Sequence, residues 1–435
     1  MVPTLKALLF YFLLYLPCSL IAQFPNIILD IAQRGEIPPS EPSIAINLTD
    51  PDNIVGSAIL DKAYVTKDGG KTWKTIRLTS PYGVYGDPCV ISDSKGNFYY
   101  FHLANTPKNG KLGKPTLDRI ICQKSTDGGE TWDMGNFMGY QPPKDQDKEW
   151  ATIDLQNDYI YATWTQFDRY RKKSQKCESN ILFARSIDQN KSWEFAKPIN
   201  QKHGDCLDDD GTAEGAVPAV GPGGEIYVSW SLRDTLFFNR SFDKGVTWLE
   251  QELVAAVQTE GWALDIPGIF RSNGMPVTVC DISEGPNRGT IYVNYADQSN
   301  GTHDTDIWLL KSTDHGSSWS APKRVNNDGA GSHQFFTWMT IDQSTGYLYV
   351  VFYDRRNHMD LQTDVYLAYS KDGGETFTNV KISQNPFVPN DQVFFGDYTH
   401  IAAHKGRICP IWTRMDNGRT SVLTAVINEE DLMEK

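Results

Sequence analysis

The stretch KSTDGGETW, at residues 124–132, contains the motif that decides the fold of this chain. Near-copies of its last eight residues recur along the 435-residue chain, with the shared pattern S/T-x-D-x-G-x-T/S-W/F. The six copies lie at residues 66–73, 125–132, 186–193, 241–248, 312–319 and 370–377, and their aspartates are 55 to 71 positions apart. Recurrence at nearly constant spacing indicates a repeat architecture in which each copy belongs to one structural unit.

The residues of the motif have the chemistry of a tight turn. The Asp can accept hydrogen bonds from the backbone amides of its own turn, and the Gly tolerates positive φ. In the third copy Asn190 replaces this Gly, and Asn adopts the left-handed conformation more readily than most residues. The closing Trp or Phe can bury a large face between neighbouring units. Because a chemical site needs one arrangement rather than six, we interpret the motif as structural.

Alternating apolar runs surround each copy of the motif. In the sixth unit they read WMTID, GYLYVVFYD and VYLAYSKD, and they are rich in β-branched and aromatic residues. Such runs are typical of strands, and a further short strand follows each copy. Each unit is therefore predicted to be a four-stranded antiparallel meander with the motif between strands three and four.

Counting first strands gives seven units rather than six. The last unit, from Gly396, has three strands and no motif, whereas PNIILDIAQ at residues 25–33 precedes the first unit without a partner. If this N-terminal strand completes the last unit, no sheet edge is left open where the ring joins. We therefore predict an all-β fold, a seven-bladed β-propeller of four-stranded antiparallel blades closed by the N-terminal strand. A six-bladed ring with a stray hairpin is the alternative.

Over residues 41–427 the repeats resemble those of the Asp-box, or BNR-repeat, proteins, whose best-known members are the sialidases (neuraminidases). The resemblance implies an exo-glycosidase acting on an acidic glycan that contains sialic or uronic acid, with arginines on the sugar carboxylate, a Tyr nucleophile and an Asp general acid. The Arg-Ile-Pro stretch of sialidases corresponds here to GEIPPSEPSIAI, in which Glu36 precedes Ile37. A non-catalytic glycan- or protein-binding propeller and a polysaccharide lyase are therefore alternatives.

The N-terminus carries a pattern typical of export. Residues 1–22 contain one Lys, an apolar run and small residues near Ala22, which predicts a secretory signal peptide followed by a single propeller domain at 23–435. We therefore expect a secreted or periplasmic protein. Export permits disulfides, and among 15 possible connectivities Cys177 with Cys206 is our preferred pair because both lie in polar, irregular stretches.

Composition limits the partners. The net charge of −13 and the absence of a basic patch in the sequence argue against nucleic acid, and no later stretch approaches 18 apolar residues, which argues against a membrane. We expect a monomer with a carbohydrate ligand and no required cofactor or metal. Calcium could bind the acidic loop at residues 205–215, but a solvated loop is the interpretation we favour.

Acidic residues recur where the first strands begin, and in a propeller these positions surround the mouth of the central channel. Like charges crowded there raise one another's pKa, as an acid catalyst requires, although the same residues could simply accept amide hydrogen bonds at strand starts. The predicted catalytic residues are Asp87, Glu149, Glu214 and Asp397, with Tyr398 as the candidate nucleophile.

Arginines recur at the ends of second strands, on the same predicted face as the carboxylates. Arg binds carboxylates through two parallel hydrogen bonds, which suggests an acidic ligand, and pairing with neighbouring blade acids is the structural alternative. The predicted substrate-binding residues are Arg169, Arg233, Arg355, Arg414, Trp150, His333 and His400. The two histidines, with Tyr398, would also be the candidate bases of a lyase.

Overall fold

The structure, a computed structural model, describes residues 24–106 and 117–433. The predicted signal peptide lies outside the described residues. The described part of the chain is almost entirely β, with one short helix, α1 (Glu429–Met433), after the last strand. None of its helices is long and apolar enough to cross a membrane.

Seven sheets form seven blades, which confirms the predicted fold class and excludes the six-bladed alternative. Blade 1 contains β2 (Ser43–Ile46), β3 (Ile54–Ala58), β4 (Lys62–Thr66) and β5 (Lys74–Arg77); blade 2 contains β6 (Cys89–Ser92), β7 (Phe98–Leu103), β8 (Ile120–Ser125) and β9 (Asn136–Met138). Blade 3 contains β10 (Asp145–Asp154), β11 (Tyr159–Phe167), β12 (Ser179–Ser186) and β13 (Lys197–Pro198); blade 4 contains β14 (Glu214–Val220), β15 (Ile226–Leu232), β16 (Thr235–Ser241) and β17 (Leu253–Val257).

A two-stranded hairpin, β18 (Ala263–Leu264) with β19 (Ser272–Asn273), separates blades 4 and 5. Blade 5 contains β20 (Val277–Cys280), β21 (Ile291–Asp297), β22 (Asp306–Ser312) and β23 (Lys323–Arg324); blade 6 contains β24 (Gln334–Asp342), β25 (Tyr347–Asp354), β26 (Asp364–Ser370) and β27 (Thr378–Lys381). Blade 7 contains β28 (His400–His404), β29 (Arg407–Asp416) and β30 (Arg419–Thr424), with β31 (Ile427–Asn428) also on β29. All seven blades are antiparallel meanders, and the first strands contact one another in a closed circle.

The N-terminal strand closes the ring as predicted. β1 (Ile27–Ile31) pairs antiparallel with β30, with Ile27 opposite Thr424 and Ile31 opposite Ser421. It also contacts blade 1, because Asp30 accepts hydrogen bonds from Lys62 Nζ at 2.6 Å and Tyr64 Oη at 2.9 Å. The strand therefore completes blade 7 and joins it to blade 1.

The Asp-box turns have the geometry that the sequence predicted. In blade 2, Asp127 accepts from the Thr131 amide at 3.0 Å and the Thr131 hydroxyl at 2.6 Å, and Ser125 Oγ accepts from the Gly129 amide at 2.9 Å. Gly129 has a φ of 95°, and Asn190 of the variant copy has a φ of 70°. The substitution in the third copy therefore preserves a left-handed backbone, which supports the structural interpretation.

The aromatic residue of the box joins adjacent blades. Trp193 of blade 3 packs edge-on against Phe101 of blade 2 at 6.0 Å between ring centroids, and Trp248 of blade 4 packs against Phe183 of blade 3 at 5.0 Å. Edge-to-face pairs of this kind add to the free energy gained by burying the rings. The repeated motif thus stabilises both its own turn and the contact with the preceding blade.

We predict that removing the carboxylate of Asp30 opens the junction between blades 7 and 1. Asp30→Ala leaves the buried Lys62 ammonium with only Glu36, so the free energy of unfolding should fall by about 2–3 kcal/mol in urea titrations. Asp61→Ala is the control, because Asp61 pairs with the half-exposed Arg77 and should cost less than about 1 kcal/mol. Equal losses in the two variants would contradict this role for β1.

We also predict that the Asp boxes make the free energy of unfolding depend on pH below about pH 4. Hydrogen bonds from the box Thr side chain and amide lower the pKa of Asp243 and Asp372 to about 2, although burial opposes them. A lowered folded-state pKa stabilises the fold above the unfolded pKa of about 4, and this contribution is lost as the pH falls towards 2. Urea midpoints measured from pH 7 to pH 2 should therefore fall less steeply below pH 4 for Asp243→Asn than for the wild type. Parallel curves for the variant and the wild type would contradict this contribution of Asp243 to the pH dependence of stability.

Candidate functional site

A repeated bulge in the first strands shapes the mouth of the channel. The register of β10 against β11 shifts between Asp147 and Trp150, and Lys148 within the shift has a φ of 52°. Blades 4 and 6 have the same shift, with Gly215 and Phe336 at positive φ. A non-glycine residue in this conformation costs about 1–2 kcal/mol, and such strain concentrates at functional sites.

The bulge places the Lys148 ammonium among four carboxylates. Its Nζ lies 3.4 Å from Asp397, 3.7 Å from Asp208, 3.8 Å from Asp147 and 3.9 Å from Glu214. Burial alone would lower the pKa of Lys148, but these carboxylates raise it well above its usual value. Lys148 is therefore a permanent cation at the centre of the mouth. All four carboxylates have an oxygen within 3.9 Å of the same ammonium, so no two of these oxygens are more than about 8 Å apart. This separation is within the range found between the two catalytic carboxyls of glycosidases.

The β18–β19 hairpin contributes a second cation. Arg271 donates from Nε to Asp397 at 2.7 Å and from Nη1 to Asp208 at 3.1 Å, and its Nη2 also bonds to Asp397. Its side chain is 33% exposed, whereas the side chains of Asp397 and Asp208 are 4% and 2% exposed. Arg271 thus lies between these two carboxylates and the solvent.

A disulfide tethers the loop that carries Asp208. Cys206 is bonded to Cys177, as the sequence predicted, and this bond joins the 205–212 loop to the loop between β11 and β12. The second loop supplies Tyr170 and Arg171, which donate to Asp208 at 2.6 and 3.0 Å. The bond therefore fastens together the two segments that meet at Asp208.

The carboxyls of the mouth have different protonation states. Burial raises the pKa of Asp147 to about 8, against the opposing charge of Lys148. Burial would also raise the pKa of Asp208, but Lys148 and Arg271 outweigh it and hold that pKa at about 2. At neutral pH the site therefore contains a protonated and an ionised carboxyl beside the same ammonium.

Three further carboxyls are buried around this centre. Glu41, Glu149 and Glu214 are at most 4% exposed, and burial raises the pKa of each well above the usual value. Neither oxygen of Glu149 or of Glu214 has a hydrogen-bond donor among the described residues. An ionised carboxylate without a donor is costly to bury, so burial favours the protonated form of these glutamates.

Aromatic side chains close the channel beneath the carboxyls. Trp150 packs against Trp338 at 4.2 Å and against Tyr398 at 4.8 Å, and His400 lies 4.6 Å from Trp338. The Tyr398 hydroxyl donates to the Pro88 carbonyl at 3.4 Å. Burial raises the pKa of Tyr398 well above its usual value and lowers that of His400 to about 3. A cavity of about 270 Å³ lies along the later part of the first strands and includes His400 and His404 in its lining.

The structure brings the predicted catalytic residues together but not the predicted arginines. Asp87, Glu149, Glu214 and Asp397 belong to one group of interacting carboxyls, with Tyr398 in the aromatic layer below. The arginines are on four different blades: Arg169 lies 3.7 Å from Asp145, Arg233 is exposed, Arg414 pairs with Asp416 at 2.6 Å, and Arg355 is buried. Of the other predicted binding residues, Trp150 and His400 lie in the aromatic layer, and His333 lies beside Arg355 in blade 6.

Sequence reasoning missed four residues at the centre of the site: Asp147, Lys148, Asp208 and Arg271. Asp147 and Lys148 directly precede the predicted Glu149, but the bulge that turns Lys148 into the mouth has no recognisable signal in its own residues. Asp208 lies in the acidic loop that we interpreted as solvated, and its ion pairs with Lys148, Arg171 and Arg271 correct that interpretation. Within the described ranges, no group of three or more His, Cys, Asp or Glu residues is arranged to hold a metal ion.

Comparisons with known proteins agree with this architecture. The family profile for the BNR/Asp-box repeat matches residues 64–75. A comparison with curated proteins found no match. Among solved structures, the NanB sialidase from Streptococcus pneumoniae is 10% identical with a TM-score of 0.51, covering 87% of this chain and 84% of its own.

Two further solved structures are similar over most of the chain. The α-L-arabinofuranosidase Arb93A from Fusarium graminearum is 12% identical with a TM-score of 0.52, covering 95% of this chain and 100% of its own. The PL25 ulvan lyase, bound to -[GlcA(1-4)Rha3S]-, is 14% identical with a TM-score of 0.52, covering 92% and 96%. At these identities the similarity concerns the fold. The chain is a seven-bladed β-propeller with Asp-box turns, and its fold is similar to the folds of these three enzymes.

We predict that the disulfide is needed to hold Asp208 in the mouth. Replacing both Cys177 and Cys206 by Ser should lower the free energy of unfolding by about 2–4 kcal/mol, because the bond closes a long loop. Amide hydrogen exchange should accelerate in the 205–212 loop more than in the blade strands. Cys280→Ser is the control, since Cys280 is a buried thiol outside the disulfide. If the double variant leaves exchange in this loop unchanged, the disulfide does not position Asp208.

Proposed function

We propose that this chain is an exported, glycan-acting enzyme of the glycoside hydrolase type with its reaction centre at the channel mouth. The observation that carries the proposal is the pair Asp147 and Asp208. Both lie within 4 Å of Lys148 Nζ, yet the pKa of one is raised to about 8 and that of the other is lowered to about 2. Carboxyls whose environments separate their pKa values are the usual acid and base of glycoside hydrolysis.

In this mechanism Asp147 is the proton donor. Its protonated carboxyl gives the proton to the glycosidic oxygen of the leaving group as the bond to the anomeric carbon breaks. Asp208 is ionised and stabilises the positive charge that develops on the sugar ring, either directly or as the nucleophile. A water molecule, deprotonated by the Asp147 carboxylate, then forms the new bond to the anomeric carbon, which returns the proton to Asp147. Lys148 keeps Asp208 ionised, and Arg271 moves aside to admit the sugar because it lies between Asp208 and the solvent.

Other observations support parts of this proposal. The aromatic layer beneath the carboxyls closes the channel, so a substrate would enter from one side, which favours action at a chain end. The Cys177–Cys206 disulfide supports export, because such bonds persist in oxidising compartments. Sialidase, arabinofuranosidase and ulvan lyase neighbours support carbohydrate as the substrate.

The test is a hydrolysis screen of the purified protein on aryl α-L-arabinofuranoside, a fluorogenic sialoside and uronic-acid oligosaccharides. On whichever substrate is cleaved, Asp208→Asn and Asp147→Asn should each lower kcat/KM by about 10²–10⁴-fold. Asp209→Asn is the matched control, because the neighbouring Asp209 is exposed and its side chain accepts only from the Gly211 amide of its own loop. Equal activity in the Asp208→Asn and Asp209→Asn variants would contradict the proposal.

The pH profile gives a second readout of the same assignment. The acid form of Asp147 is lost as the pH rises through its pKa of about 8, so kcat/KM should fall above pH 8. The residual activity of Asp147→Asn should lack this alkaline limb. An unsaturated uronate product, detected by its ultraviolet absorbance, would instead indicate a lyase, and tight glycan binding without turnover would indicate a binding propeller.

A further inference from the structure

Arg355, directly after β25, is a buried cation on which the charge of Asp360 acts only from a distance. The residue is 4% exposed, and no carboxylate in the described part of the chain lies within 4 Å of its guanidinium. Its Nε donates to Thr363 Oγ1 at 3.1 Å and the group lies 5.2 Å from the centre of the Phe335 ring, but its Nη2 has no partner among the described residues. Burial lowers the pKa of Arg355 only to about 10, so the group is charged at neutral pH.

In the adjacent Arg356, each of the three guanidinium nitrogens has a hydrogen-bond partner. Arg356 donates from Nε to Asp354 at 2.8 Å and from its two terminal nitrogens to Asn327 at 2.7 Å and Asn379 at 2.9 Å. An unpaired buried charge costs much more free energy than a paired one. The contrast between the two neighbours makes Arg355 a candidate binding group for an anion.

His333 provides a second donor beside this guanidinium. The Arg355 amide donates to the His333 carbonyl at 3.1 Å. Burial together with the Arg355 charge lowers the pKa of His333 to about 4, against the charges of Asp304 and Asp265, so His333 is neutral. Its Nδ1 shares a hydrogen bond of 2.9 Å with Thr305 Oγ1. In the tautomer in which Nδ1 accepts the Thr305 proton, the ring proton is on Nε2, for which the described residues offer no partner.

We propose that Arg355 and His333 form a binding site for a sugar carboxylate or sugar sulfate ester, in blade 6 beside the mouth. The site presents donors from a guanidinium and a neutral imidazole, which match the oxygens of an oxyanion. Packed aromatic rings connect this site to the mouth. Arg355 lies over Phe335, Phe335 packs against Phe336, and Phe336 packs against Phe395. Asp397 of the mouth follows Phe395 by two residues in the sequence. This inference rests on the proposed function, because that function is what makes the bound anion part of a sugar. It adds that the substrate is an acidic glycan whose charged group binds away from the reacting carboxyls.

Thermal unfolding tests the site without requiring turnover. Sodium glucuronate and a sulfated glucose should raise the Tm of the wild-type protein above that in sodium chloride of equal ionic strength, whereas glucose should not. Arg355→Met should abolish this shift and weaken glucuronate binding by about tenfold or more, while remaining at least as stable as the wild type without ligand. Arg356→Met is the matched control: it should lower the Tm but keep the glucuronate shift.

His333→Gln gives a second measurement should the Arg355 variant fold poorly, and it should weaken glucuronate binding several-fold. Two results would overturn the site: no shift with any anion, or an equal shift in the Arg355→Met variant. A Tm shift with inorganic sulfate or phosphate but not with glucuronate would show that the site binds a free inorganic anion and would overturn the proposal that its ligand is a sugar. Because the readout is Tm, a failure here leaves the Asp147 and Asp208 test intact, and a failure of hydrolysis leaves this one intact.

Discussion

The pairing of β1 with β30 is the constraint on which the rest of the molecule depends. The charged groups of the mouth come from both ends of the chain, with Glu41 before blade 1 and Asp397 before blade 7, and they interact only when the ring is closed. The Asp30 contacts with Lys62 and Tyr64 hold the two terminal blades together across this seam. Fold closure and assembly of the site are therefore one event, because an open ring would separate the carboxyls that now share Lys148 and Arg271.

Charge balance in the mouth decides which carboxyls can act. Among the described residues, seven carboxyls meet three cations there, namely Lys148, Arg271 and Arg171, so ionising all seven would leave uncompensated buried charge. The cations make their shortest contacts with Asp208 and Asp397, whereas Glu41 and Glu149 have none. The protonation pattern follows from how many cations each carboxyl contacts and how closely. Asp208 lies 3.0 Å from Arg171 and 3.1 Å from Arg271, whereas the described residues give Asp147 only Lys148, at 3.8 Å.

The fold was readable from the sequence because its signals are local and repeated. Six Asp boxes fixed the turns, and the missing box of the last unit predicted closure by residues 25–33. The carboxyl ring was readable as well, since Asp87, Glu149, Glu214 and Asp397 lie near the predicted starts of first strands. The cations at its centre were not readable. Lys148 enters the mouth through a bulge whose residues differ between blades 3, 4 and 6, and Arg271 enters through an inter-blade hairpin. Asp208 was hidden for another reason: an acidic loop is usually solvated, and only tertiary contacts with Tyr170 and Lys148 reveal the exception.

The same charge distribution explains why an acidic substrate would need a binding group outside the mouth. Asp208 and Asp397 already occupy the cations there, so a sugar carboxylate arriving beside them would compete with these acidic side chains for Lys148 and Arg271. Arg355 has no such competitor within 4 Å among the described residues, and its charge is weakly screened because it is buried. A glycan whose anionic group binds at Arg355 could present a neutral glycosidic bond to Asp147 and Asp208. Separating charge recognition from bond cleavage lets one acidic mouth act on an acidic glycan without repelling it.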